Sequence, residues 1–365
     1  MLIKETKVQE LSKKISEYVG DNVALLSVAE DSEIDFDQLI RELNNNGTQF
    51  VGGVFPKVIH ENQVYDDGVV INTLFDVVNI SMIKNISKKE IAIPQIEFSP
   101  DIEYTVLTYV DGLTSNISNY LSALYESYGI SSNYFGGGAG SLSLEQMPCV
   151  FSNEGIFMDA AVLCVMKMRS SIGVRHGWEK LEGPFIVTKA DRNTIEEINW
   201  ENPFQIYRSI VEEDSGQKFT DENFFDLAKG YPLGVVKQGG ESVIRDPLML
   251  NEKQELVCVG EVEENTLVDI MKGNKDSLID AAKHAAKDCL MRCEQPKKAI
   301  IIDCISRVLF LEESFDRELN QIVSTLRENF PDISIGGALT LGEISSFGNG
   351  YLEFYNKTIV VSLFE

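Results

Sequence analysis

Three times along this chain an apolar run leads into an amphipathic helix and then into a second short run that ends in paired glycines. The first copy joins Val23-Ala24-Leu25-Leu26-Ser27-Val28 to a helix over 36–43 and then to Phe50-Val51-Gly52-Gly53. The second runs from 104–110 through a helix over 117–124 to Tyr134-Phe135-Gly136-Gly137-Gly138. The third runs from 299–304 through 319–326 to Ser334-Ile335-Gly336-Gly337. A closing apolar strand follows each copy, at 68–71, 160–165 and 358–363. A supersecondary unit used three times sets the architecture before any single motif is weighed, because one copy cannot bury its apolar face alone.

The three helices share one spacing. Phe36, Leu39, Ile40 and Leu43 follow i, i+3, i+4, i+7, as do Ile117, Tyr120, Leu121 and Leu124, and Leu319, Ile322, Val323 and Leu326. That spacing lays one buried stripe along each helix. Asp35, Ser115 and Ser314 are placed to cap them. Long apolar strands alternating with such helices predict an α/β fold with covered sheets. The close spacing after each glycine pair predicts an antiparallel hairpin within each unit. The expected body is repeated β-α-β-β units in two closely packed lobes with mixed, mostly antiparallel sheets, divided near residue 198. A further stretch over 172–237 carries a strand at 185–190 and a helix opened by Asn202-Pro203-Phe204.

Composition excludes more partners than it names. Aspartate and glutamate number 57 against 32 lysines and arginines, for a net charge of −25. Such a surface repels nucleic-acid phosphates and anionic lipids, and no basic stripe offsets it. Neither a nucleic-acid partner nor membrane insertion is expected. The first twenty residues intersperse Lys, Glu and Ser among apolar residues, unlike a signal peptide. No run approaches the roughly 20 apolar residues needed to span a bilayer, so a cytoplasmic protein is expected. Of the six cysteines, Cys164, Cys258 and Cys304 lie in apolar strand-like runs, where a thiol acts as a small hydrophobe. No C-x-x-C pair exists, and Cys289 and Cys293 lack partners at metal-ligand spacing, so no metal is expected.

Several segments, taken in order, carry a family resemblance. They are Gly137-Gly138-Ala139-Gly140, Phe151-Ser152-Asn153, and His176-Gly177-Trp178 followed by Val187-Thr188-Lys189-Ala190. Further on come Pro232-Leu233-Gly234, Val243-Ile244-Arg245-Asp246, Cys304-Ile305-Ser306-Arg307, Gly342-Glu343-Ile344 and Asn356-Lys357-Thr358. With this ordered set the chain resembles the FIST family, 1–198 as a FIST N-like lobe and 199–365 as a FIST C-like lobe. The resemblance implies an intracellular sensory module of signal transduction, not an enzyme, that binds a small polar ligand such as an amino acid or a related metabolite. It also implies a separate signalling partner, with a histidine kinase as one candidate. Some members look like haem-binding nitric-oxide sensors, which makes haem the alternative cofactor.

The residues themselves leave two readings at each position. The glycine pairs serve either close sheet packing or a ligand-facing backbone, and no Walker lysine follows them. Arg307 and Glu343 could read the two charged ends of an amino acid, or pair with each other inside the sheet ends. Cys304 beside Arg307 could carry a thiol-dependent reaction, the enzyme alternative. Arg245 could line the same pocket, or form a surface salt bridge. The expected ligand-binding set is Arg245, Arg307, Glu343 and Cys304, with Gly137, Gly138 and Asn356 shaping the pocket. Of the three histidines, His60 reads as a turn, His284 lies on a polar helix face, and His176 is the haem-ligand candidate. Asp191, Asn193, Glu196 and Glu197 do not match an EF-hand loop and read as a solvated turn.

Overall fold

A computed structural model describes every residue except 6, 131, 221, 238–240 and 347–351. Each repeated unit forms the centre of a six-stranded sheet. Its first strand (Val23–Ala29, Tyr104–Asp111 or Lys298–Cys304) crosses over to a parallel glycine strand (Phe50–Phe55, Ser132–Ala139 or Ser334–Thr340). The crossover helices are Phe36–Asn45, Ile117–Tyr128 and Phe315–Asn329, the last preceded by a short helix, Ile305–Leu311. The stripe residues Leu39, Leu43, Tyr120, Leu124, Leu319 and Ile322 are all fully buried, which stabilises by about 1.5–3 kcal/mol for each large apolar side chain. Among the expected caps only Asp35 bonds to its helix, through the Gln38 amide.

An antiparallel hairpin follows the glycine strand in each unit, as expected: Lys57–His60 with Gln63–Tyr65, Val150–Ser152 with Gly155–Phe157, and Glu343–Ser346 with Leu352–Tyr355. The closing strands Val69–Leu74, Ala160–Met166 and Ile359–Phe364 are antiparallel, but they pair with the first strand of the unit rather than with the glycine strand. The free edge of each glycine strand is taken by a hairpin from another unit. The first unit's Lys57–His60 pairs with the third unit's glycine strand. The second unit's Val150–Ser152 pairs with that of the first, and the third unit's Glu343–Ser346 with that of the second. This cyclic exchange covers the edge that each unit alone would leave open. A seven-stranded sheet, including Glu179–Asp191, Thr194–Ile198, Val243–Arg245 and Leu256–Cys258, completes the fold. The result is the repeated mixed α/β architecture, and strand pairing crosses residue 198 in three of its four sheets.

The glycine pairs have a packing origin. Parallel register sets Gly136 opposite Thr108 and Gly337 opposite Ile301. A Cβ at either position would overlap the opposing carbonyl oxygen. Only a residue without a side chain lets the two strands approach to ladder distance there.

Candidate ligand-binding site

Arg307 lies in the first turn of Ile305–Leu311 and is 0% exposed. Its Nε and Nη2 grip the Glu318 carboxylate at 3.1 and 2.6 Å. Nη1 donates to the carbonyls of His176 and Lys357, and Nη2 also to that of Leu278. Asp303 stands 3.4 Å from Nε. Every nitrogen of the guanidinium is therefore engaged within the protein. Its buried carboxylate partner is Glu318, on the following helix, rather than Glu343. Burial and the neighbouring Glu318 and Glu343 hold Asp303 well above the usual carboxylate range despite the attraction of Arg307.

Glu343 is also fully buried. It accepts from the Thr340 hydroxyl at 2.9 Å and from the Thr358 amide at 3.2 Å. Burial pushes its pKa up to about 8, against the lowering effect of those two hydrogen bonds. A raised carboxyl pKa makes the folded state hold a proton that the unfolded chain releases from about pH 4.5 upward. The resulting contribution to stability is full below pH 4.5 and is lost as pH rises through 8. Glu343→Gln keeps an acceptor for the Thr358 amide in a neutral group, and its NH2 can donate to the Thr340 hydroxyl in place of the accepted bond. Its thermal midpoint is expected to gain on wild type steadily between pH 5 and pH 8.5. Parallel midpoint-against-pH curves for the two proteins would show that Glu343 is ionised in the fold.

Cys304 and Asn356 line a cavity of about 520 Å³. The Cys304 thiol is buried, and burial together with Glu343 raises its pKa, so it is not an activated nucleophile. Arg245 stands behind the cavity wall. Its Nε donates to the Glu261 carbonyl at 2.8 Å, and its Nη1 to the carbonyls of Ile244 and Phe354 and to Asn356 Oδ1 at 3.3 Å. The neighbouring Asp246 pairs with the buried Lys357 at 3.0 Å, so no surface salt bridge forms there. Gly260, at φ +80°, runs across this pair; a Cβ there would sit 3.0 Å from Arg245 Nε and 3.1 Å from Asn356 Oδ1. Arg245 itself lines an adjoining cavity that shares Ser118, Glu261 and Phe354 with the first.

Asn356 is 2% exposed, and its Nδ2 has no hydrogen-bond partner among the described residues. A buried amide donor left unpaired costs about 1–3 kcal/mol, and this atom is closed to the cavity as well as to bulk water. The helix Ile117–Tyr128 brings further donors. Asn116, Ile117 and Ser118 line the cavity, and Asn116, at φ +64°, stands at the helix N-terminus with its Nδ2 donating to the Ser87 carbonyl rather than its side chain capping a helix amide. The first-turn amides thus lack intrahelical acceptors and carry the positive end of the helix dipole.

The expected residues are only partly brought together. Cys304 and Asn356 lie on the cavity, Arg245 one layer behind, and Arg307 and Glu343 are not part of its lining. Gly137 and Gly138 are also set back. Gly138 bonds to Leu341 and Gly342 and packs on Gly112, which does line the cavity. Two lining residues were missed in the sequence: Arg192 sits in a stretch that reads as a solvated turn, and no motif marks Glu261.

His176 does not fit a haem iron. Its Nδ1 accepts from the Trp178 amide at 2.8 Å, and its Nε2 meets Glu241 at 2.9 Å. Both ring nitrogens are thereby occupied. His60 ends the strand Lys57–His60 rather than forming a turn, and His284 is exposed beside Asp280. Among the described residues, no three metal-ligating side chains converge, and no helix is long and apolar enough to cross a membrane.

A FIST N domain model matches residues 22–201, and a FIST C domain model matches residues 203–346. No curated protein matches the chain.

Proposed function

Because the chain belongs to the FIST family, with a FIST N and a FIST C domain, we propose that it is a sensory module for signal transduction whose ligand occupies the 520 Å³ cavity. FIST domains are proposed sensory modules. The ligand is a small polar metabolite such as an amino acid, bound without turnover. The observation that carries this reading is a cavity whose wall is drawn from both the FIST N and the FIST C regions. The cavity's size falls in the ordinary range for small-molecule sites.

The output goes to a separate signalling protein, for which a histidine kinase is one candidate. The wall combines residues 112–118 and 192–193 of the FIST N region with residues 258–261 and 304–306 of the FIST C region. A ligand touching both regions favours whichever arrangement closes them around it, and only such a difference in affinity can shift a conformational equilibrium.

A thermal-shift screen of metabolites tests the reading. A ligand at one hundred times its Kd stabilises the fold by about 2.7 kcal/mol. Ser306→Trp, which fills the cavity, is expected to abolish that shift while leaving the unliganded midpoint close to wild type. If no compound shifts the wild type, or if the filled variant responds equally, the cavity is not the sensory site.

A further inference from the structure

We propose that Lys298 is a covalent ligand site, independent of the cavity above: its Nζ forms a reversible imine with a small alkyl or aryl aldehyde. Lys298 opens the strand Lys298–Cys304 and lines a separate cavity of about 300 Å³. That cavity lies where the three units meet. Residues 73–76 come from the first, Met168 follows the closing strand of the second, and Lys297, Lys298 and Phe364 come from the third. Nζ donates to the Thr73 carbonyl at 2.7 Å and stands 5.5 Å from the centroid of the Phe75 ring.

These surroundings favour the neutral amine. Among the described residues, no carboxylate stands within ion-pair distance of Nζ, although the chain carries 57 acidic residues. Of the two carboxylates lining the cavity, Glu365 is engaged by the Glu294 amide at 2.8 Å, and Asp76 is exposed. The Ile71 carbonyl, on the same strand as Thr73, takes the Met1 ammonium at 2.9 Å, a like charge rather than a counter-ion. Burial lowers the Lys298 pKa from 10.5 to about 8. A lysine desolvated in this way is an activated nucleophile. Its lone pair attacks the aldehyde carbon, a proton passes from nitrogen to oxygen, and the carbinolamine loses water to leave a C=N bond. Hydrolysis reverses each step. Leu74, Ile300 and Phe364, all buried, line the cavity with Phe75 and Met168 and offer apolar surface to the aldehyde's tail. Asp76 and Glu365 outnumber Lys297, which disfavours an aldehyde with a carboxylate of its own.

Limited reaction of the whole chain with hexanal and sodium cyanoborohydride, read by peptide mass spectrometry, tests this. The reductant delivers hydride to the C=N carbon and fixes the adduct as a secondary amine. At pH 8 about half of Lys298 is neutral, against roughly 0.3% of an ordinary lysine. Lys298 is therefore expected to label about 10-fold faster than the exposed Lys89 and Lys287. That lead should shrink from pH 8 to pH 10, where the exposed lysines also lose their protons, and should vanish in urea. Glyoxylate, an aldehyde with a carboxylate and no tail, should show little of it. Peptide mapping reads the Met1 amine separately. Labelling of Lys298 no faster than Lys89 in the folded chain overturns the inference, as does an equal lead with glyoxylate or a lead that survives unfolding.

Discussion

Arg307→Ala is expected to lower the unfolding free energy by about 3–5 kcal/mol, the cost of removing one partner from a buried ion pair. That is a large share of the roughly 5–15 kcal/mol by which a folded chain is stable. The substitution strands the Glu318 carboxylate in the interior and leaves the carbonyls of His176, Lys357 and Leu278 without this donor. Those carbonyls come from three separate stretches of chain, so Arg307 reinforces a junction also held by the pairing of Ser170–Arg175 with Ile359–Phe364 and by the Trp178 indole on the Lys357 carbonyl. Urea unfolding of the variant measures the loss. Pairing it with Glu318→Met as Arg307→Met/Glu318→Met should recover much of it, because the uncompensated charge is then gone. A single variant within about 1 kcal/mol of wild type would mean that water already reaches the guanidinium, against its complete burial.

Gly337→Ala is expected to cost about 3 kcal/mol, at the upper end of overpacking penalties. The new methyl would overlap the Ile301 carbonyl oxygen, which is backbone and cannot swing aside as a side chain would. The strand must separate from Lys298–Cys304, and with it goes its other edge, where Gly337 faces Ile59 of the first unit's hairpin. Gly47→Ala is the control. At φ +72° with open space around the Cβ position, it should lose only about 1 kcal/mol from backbone strain. Equal urea midpoints for the two variants would show that the third sheet tolerates separation at its centre.

The repeated units were legible because apolar periodicity and paired glycines are local signals. A stripe at i, i+3, i+4, i+7 must face a core, and the glycines at 136 and 337 answer to a strand in the same unit. Pairing at the outer edge of each glycine strand was not legible. Lys57–His60 finds its neighbour some 280 residues away in sequence, and nothing in either segment's composition names the other. The partner of Arg307 could have been inferred. Glu318 falls between Phe315 and Ile322, at i+3 from one and i−4 from the other, on the buried stripe of its helix. A carboxylate in that position requires a buried cation.

Sequence by itself determined that three β-α-β-β units would form and that the surface would be strongly acidic, because periodicity and charge belong to neighbouring residues. Tertiary structure decided which charges work together. Arg307 and Glu343, the pair most suggestive in the sequence, are spent inside the protein, while Arg192, from a stretch that reads as a solvated turn, and Glu261, which no motif marks, line the cavity. The physical reason is that a charge is available to a ligand only where the fold leaves it without a partner, and partners are assigned by pairings across the whole chain.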